Sequence, residues 1–202
     1  MGQFRYLGAT YFGLDPQQVT FQRQASSDTC WAACLANAGS VLYGRPVATD
    51  QDIVRAAHLE GLKNKGLKKA HVVEMVNFVS PVSQVMQKVF RQVSKKNQTD
   101  SFEDRFALVK EMEGNLKSAT PYPFMMGVRQ DQEIVKHAIL ILAVDNEGEH
   151  YLCYDPGGQV RENRNFALAV MVGDDKGGLM VLSGADLTSM LRFVISLQRT
   201  AG

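Results

Sequence analysis

The sequence predicts an α+β fold: a helical N-terminal half, about residues 25–118, packed on a mainly antiparallel β-sheet, about residues 121–200, with a cleft between them. Three observations carry this. Apolar and small residues fill 30–43 almost without interruption, and apolar residues recur at helical spacing as far as Leu116. Pro121 and Pro123 then mark a change of character. Beyond them, short apolar runs alternate with polar, glycine-containing turns. At 202 residues, 45% hydrophobic and 21% charged, the chain reads as one globular domain, 1–202.

The elements follow in order. Residues 1–24 read as irregular, with a turn at Asp15-Pro16. Ser27, Asp28 and Thr29 can each cap a helix over 30–43, which is apolar nearly all round and therefore belongs inside the domain; Gly44 ends it. A second helix starts at Thr49 or Asp50 and ends at Gly61, and a third covers 67–79, before Pro81. The stretch 82–93 fits a helical period but is rich in β-branched residues. Ser101 and Asp104 form a capping-box pattern opening a helix whose apolar face is Phe102, Phe106, Val109, Met112 and Leu116. Strands are predicted at 124–128, 137–144 and 151–154, and weaker ones at 166–172, 179–182 and 193–197, with a short helix after Ser183.

Composition narrows the function classes. The N-terminus has no apolar stretch after its first charge, so it is not a secretory signal, and Tyr6 stands where a myristoylation signal needs Ser or Thr. The longest apolar run, 138–144, is too short to cross a bilayer. The expectation is a soluble protein, cytoplasmic or exported without a classical signal peptide into a host or target cell. Three unevenly placed cysteines make no disulfide framework and fit a reducing compartment. The net charge of +1 hides an asymmetry: 61–96 holds eight basic residues and one acidic, a net +7 that leaves −6 elsewhere. A solvated surface is the ordinary reading of such a run, and a patch for an acidic partner is the sharper one. Few aromatics interleave the lysines, which argues against nucleic acid.

The chemistry centres on Cys30. At a helix N-terminus, partial positive charge and free N–H groups stabilise a sulfur anion. Cys34, one turn further in, reads as a small buried hydrophobe. An acyl-transfer site also needs oxyanion donors, which the nucleophile's own N–H and a side-chain amide can supply. Gln24 lies six residues before Cys30; Gln17, Gln18 and Gln22 compete, and spacing alone does not choose among them. The segment Gln24-Ala25-Ser26-Ser27-Asp28-Thr29-Cys30-Trp31-Ala32-Ala33 resembles the active-site segment of papain-like cysteine peptidases, in which a Gln six residues ahead of a Cys-Trp supplies the oxyanion donor. It resembles most the compact bacterial members, the leader-processing peptidases of bacteriocin exporters and the effector peptidases of plant pathogens. No resemblance is recognised from Tyr43 to Tyr122 beyond a helical region of suitable length.

A thiolate nucleophile needs an imidazole partner. His58 and His71 fall in helical patterns, and His150 sits beside the polar turn 145–149. His137 opens the apolar strand 137–144, where a polar residue can reach a site at the sheet edge. Strands 137–144 and 150–155 read as a hairpin. If Val144 pairs with His150, Ile139 lies opposite Asp155 and His137 is diagonal to it; a register two residues shorter places His137 directly opposite Asp155. Either lets the carboxylate reach the ring. Asp145, eight strand residues away, cannot. Asp155-Pro156 also resembles the compact bacterial peptidases, in which an Asp-Pro follows the strand after the active histidine; papain has Asn there. Cys153, two residues earlier, falls on the same face of a regular strand as Asp155 and reads as a core thiol.

The resemblance implies a cysteine peptidase acting on a protein or peptide, with Cys30 as nucleophile, His137 as base, Asp155 orienting the ring, Gln24 at the oxyanion hole and no cofactor. The same set serves deamidases, transglutaminases and acyltransferases, which share a thioester. A fold that kept the residues and lost the activity would be a binding module. A metal site of Cys30, Cys34 and a histidine lacks the paired ligand spacing that such sites show.

Overall fold

The computed structural model describes residues 2–59, 91–96, 101–130, 133–157, 170–171 and 178–198. The predicted helix at 67–79 and nearly all of the basic stretch 61–96 lie outside them. Among the described residues are strands β1 (Gln3–Tyr6), β2 (Ala9–Gly13), β3 (Arg91–Lys96), β4 (Phe124–Gln130), β5 (Glu133–Asp145), β6 (His150–Tyr154), β7 (Val170–Met171), β8 (Leu179–Ser183) and β9 (Leu191–Gln198). The helices are α1 (Cys30–Tyr43), α2 (Asp50–Leu59), α3 (Phe102–Leu116) and α4 (Gly184–Met190). The fold is α+β. One antiparallel sheet runs in the order β3-β9-β4-β5-β6-β8-β7, and the β1–β2 hairpin joins it through β2 and β5.

The N-terminal segment departs from its reading as irregular. Residues 3–13 form a hairpin that turns on Leu7 and Gly8, at φ 50° and 82°; a two-residue turn of this hand needs positive φ at both positions. Leu7 is not a residue that announces such a turn, which is why the sequence hides it. The hairpin buries Tyr11 against Phe4 and Tyr6. Strand β3, from within the helical half, also joins the sheet, beside β9.

The layering differs from a helical half facing a sheet half. Helix α1, with Ile53 of α2, packs on one sheet face against Met125, Leu140, Leu142 and Ile195. Helices α3 and α4 cover the other face, through Val109, Met112, Leu187 and Met190 against Ile139, Ile141 and Cys153. Residues 138–144 are therefore fully buried on both sides, the environment that a continuous apolar strand requires. Ser101 caps α3 by accepting from the Asp104 N–H, as the sequence predicts. Phe102 and Phe106, read as part of its buried face, are instead 54% and 48% exposed and stack on each other. Leu108 takes the inward place, because the sheet sits under the later turns of α3 only.

The predicted hairpin register holds at the end that matters. Leu140 pairs with Tyr154 and Ile141 with Cys153, which continues to Ile139 opposite Asp155. At the turn end the pairing is one residue off, Val144 with Tyr151, because the register shifts between Ile141 and Ala143. The shift falls where β5 changes partner: Phe124 of β4 is opposite Ile141, and Gly13 of β2 is opposite Ala143. Gly13, at φ 137°, lets the backbones meet; a Cβ there would lie 2.4 Å from the Leu142 carbonyl oxygen.

Candidate active site

Cys30 is the first residue of α1. Thr29 occupies the cap position but makes no side-chain cap bond to the helix, and neither Ser27 nor Asp28 takes that position. Residues Cys30 through Ser40 are all buried, and Gly44, at φ 67°, closes the helix with its N–H on the Ser40 carbonyl. One polar side chain in this buried helix has a defined task. The Asn37 amide accepts from the Gln22 N–H (2.8 Å) and donates to the Gln22 carbonyl (2.8 Å), holding the pre-helix segment as a β-ladder partner would. Tyr154 of β6 donates to the same carbonyl at 2.9 Å, and its ring stacks on Phe21. The Gln24 N–H donates to the Pro156 carbonyl at 3.1 Å. These bonds lay residues 21–24 between α1, at its middle turn, and the turn after β6.

His137 lies within β5, opposite Val128 of β4. The strand begins four residues earlier than predicted, at Glu133, so the histidine is inside it rather than at its start. Asp155 stands just past β6. Its N–H donates to the Gly178 carbonyl (2.8 Å), and its Oδ1 accepts from the Gly157 N–H (3.0 Å). The same Oδ1 takes the His137 Nε2–H at 2.5 Å, which sets the tautomer and leaves Nδ1 as the free ring nitrogen. Burial alone would lower the His137 pKa. The Asp155 hydrogen bond and then the neighbouring Cys30 thiol, with the charges of both, reverse this and raise it to about 9. Cys30 is close enough to act on the ring, yet Nδ1 has no completed hydrogen bond. Cys30 and His137 expose no surface, and Asp155 only 2%.

The sign of the His137 shift gives a stability prediction. The ring titrates near 6.5 when unfolded and near 9 when folded, so its contribution is full below about pH 6.5 and is lost as pH rises through 9. The stability difference between the wild type and Asp155→Ala, from urea unfolding at pH 6 to 9.5, should shrink over that window. A difference flat across it would mean that Asp155 does not hold the ring protonated.

Gln24 lies against the turn that follows Asp155. Its amide rests on Gly157, where a Cβ would come within 2.8 Å of Oε1. The competing glutamines donate elsewhere: Gln17 to the Arg5 carbonyl, Gln18 to Asp15 and Gln22 to the Ala48 carbonyl. Among the described residues, three buried side-chain polar atoms lack a hydrogen-bond partner: Gln24 Oε1, His137 Nδ1 and Ser118 Oγ. Two of the three lie on residues that border Asp155 and its turn, and a buried polar atom without a partner calls for an explanation.

The other candidates separate from it. Cys34 and Cys153 are fully buried, and burial pushes both thiols well above their usual range, with the Cys30 charge adding to the effect at Cys34. Cys153 packs on the α3 face, away from the Cys30 cluster, because Asp155 leaves the strand after Tyr154 and the alternation no longer links them. His150 pairs with Asp145 at 2.8 Å, at the far end of the hairpin. His58 lies in α2 and its side chain is outside the description; His71 is outside altogether. A groove of about 330 Å³ between α3, the β5–β6 turn and α4 is lined by Phe106, Val109, Glu149 and His150, and none of the Cys30 group reaches it. Sequence reasoning passed over Asn37, the one amide in an apolar helix, and Asp50, read only as a helix start.

Among the described residues no group of three or more His, Cys, Asp or Glu is placed to hold a metal ion, and no helix is long and apolar enough to cross a membrane. No family model matches the chain, and no curated protein matches it.

Proposed function

We propose that this protein is a papain-like cysteine peptidase, acting on a protein or peptide by acyl transfer through Cys30. The observation that carries the reading is the His137 ring, bonded to Asp155 through Nε2 and left open at Nδ1, with its pKa raised first by Asp155 and then by Cys30 at the start of α1. In the first half-reaction Cys30 Sγ attacks the scissile carbonyl carbon while its proton resides on His137 Nδ1. The oxyanion takes hydrogen bonds from the Cys30 N–H and the Gln24 amide. The C–N bond breaks, His137 gives its proton to the leaving amine, and a thioester remains. Water then attacks the thioester, its proton passes to His137, and the sulfur leaves as the acid is released. Asp155 holds the ring in one tautomer and supports its positive charge throughout. The basic stretch 61–96 is the segment suited to attract an acidic partner.

A second reading has one observation behind it: Cys30 and His137 expose no surface, as in a fold that keeps the set as core and serves as a binding module. Labelling decides between them. Native protein is treated at neutral pH with an irreversible epoxide inhibitor of papain-like enzymes and mapped by mass, with His137→Ala as control. Fast, histidine-dependent modification of Cys30 alone is expected. Reaction of Cys30 no faster than Cys34 or Cys153 would leave the binding module as the reading.

A further inference from the structure

We infer that Asp50 is a positioning residue of this site, setting the distance between the oxyanion amide of Gln24 and the nucleophile Cys30; the inference rests on the reading of Cys30 as nucleophile. A single oxygen, Asp50 Oδ2, accepts from the Ala25 N–H at 2.7 Å and from the Thr29 hydroxyl at 2.9 Å. Ala25 follows Gln24, and Thr29 precedes Cys30. The four residues between Gln24 and Thr29 are all exposed, so the loop has no core side chain to fix its shape. Ser26 and Thr29 close a local turn, with the Thr29 N–H on the Ser26 carbonyl at 3.1 Å. The Thr29 hydroxyl also lies 3.0 Å from that carbonyl, but it has one proton, and the charged acceptor is the stronger partner.

Asp50 is free for this task because α2 is capped by others. Thr49 and Asp52 form a reciprocal box, with the Asp52 N–H on Thr49 Oγ1 (3.1 Å) and the Thr49 N–H on Asp52 Oδ2 (3.0 Å). Asp50, only 5% exposed, then sits in the first turn of α2, whose positive end offsets part of the cost of burying the carboxylate. Burying an acid that its own helix does not need as a cap makes sense where the two bonds it receives must keep a fixed geometry.

The test separates positioning from general damage. Acylation by p-nitrophenyl acetate forms an oxyanion; alkylation by iodoacetamide needs the thiolate and no oxyanion donor. Both probes are small, so the comparison reads the chemistry at Cys30 and not the fit of a substrate. Asp50→Ala should slow acylation of Cys30 about 10- to 100-fold while alkylation stays within about threefold of the wild type. Asp50→Asn, which keeps an acceptor oxygen, should restore acylation to within about fivefold. Acylation by Asp50→Ala within threefold of the wild type, or acylation and alkylation falling together, overturns the inference. If circular dichroism shows Asp50→Ala unfolded, Thr29→Val, which removes one of the two bonds, decides on the same comparison: a selective loss of acylation supports the inference and an unchanged ratio overturns it. A wild-type Cys30 inert to both probes would instead take down the nucleophile reading and this inference with it.

Discussion

Cys30→Ala is expected to abolish turnover, by at least about 10⁴-fold, while the protein stays folded. Cys30 is completely buried in the cluster that joins α1 to the sheet, so a purely structural thiol is the competing account. The two accounts differ in what the substitution changes. Losing one sulfur atom from a core costs about 1 kcal/mol, a shift of a few degrees in thermal midpoint, and a structural thiol would show that alone. A nucleophile shows total loss of p-nitrophenyl acetate and peptide hydrolysis beside that small shift. A second readout follows from the pair. Cys30 is one of the groups raising the His137 pKa to about 9, so in Cys30→Ala the ring should titrate lower, as followed by the imidazole proton resonances. An unmoved titration would mean that the thiol does not share a proton with the ring.

Gln24→Ala is expected to lower kcat about 10²- to 10³-fold with a much smaller change in KM, because an oxyanion donor acts on the tetrahedral intermediate more than on bound substrate. Its effect on stability is the discriminating part. Gln24 Oε1 is buried without a partner, and an orphaned acceptor costs on the order of 1–3 kcal/mol, so removing the amide should leave stability unchanged or raise it. A structural glutamine would do the reverse, losing stability and activity together. Gly157→Ala gives an independent check, since its Cβ would fall 2.8 Å from Oε1 and displace the amide. It should reproduce the fall in kcat with Gln24 still present. Full activity in both variants would assign the donor to another group.

Much of the site was legible because it rests on local rules. Cys30 at a helix start follows from an apolar run that a glycine ends, although none of Ser27, Asp28 and Thr29 makes the expected cap bond. The closeness of His137 and Asp155 follows from two apolar runs joined by a polar turn, with a register that was right at that end; the two-residue repeat stops at Tyr154 and does not extend to Asp155. Where the reading was off, distant segments decided. The shift between Ile141 and Ala143 arises because β5 meets β2 beyond the end of β4, and nothing near Leu142 announces it. Phe102 and Phe106 have the spacing of a core face, and only the place of the sheet under α3 shows that they are not part of one.

The sequence by itself determined the α+β class, helix α1 with Cys30 at its head, the histidine and aspartate that meet across one hairpin, and the exclusion of Asp145 as their partner. Periodicity, capping and strand register act over a few residues, so they can be read from the chain without its fold. The contrast between Gln24, whose amide rests on Gly157, and Gln17, Gln18 and Gln22, which donate elsewhere, needed the tertiary structure, as did the burial of the sheet on both faces and the bonds of Asn37, Tyr154 and Asp50 that hold the pre-helix segment. The bonds among them join a side chain to a backbone group 15 to 132 residues away, and no local propensity encodes such a meeting.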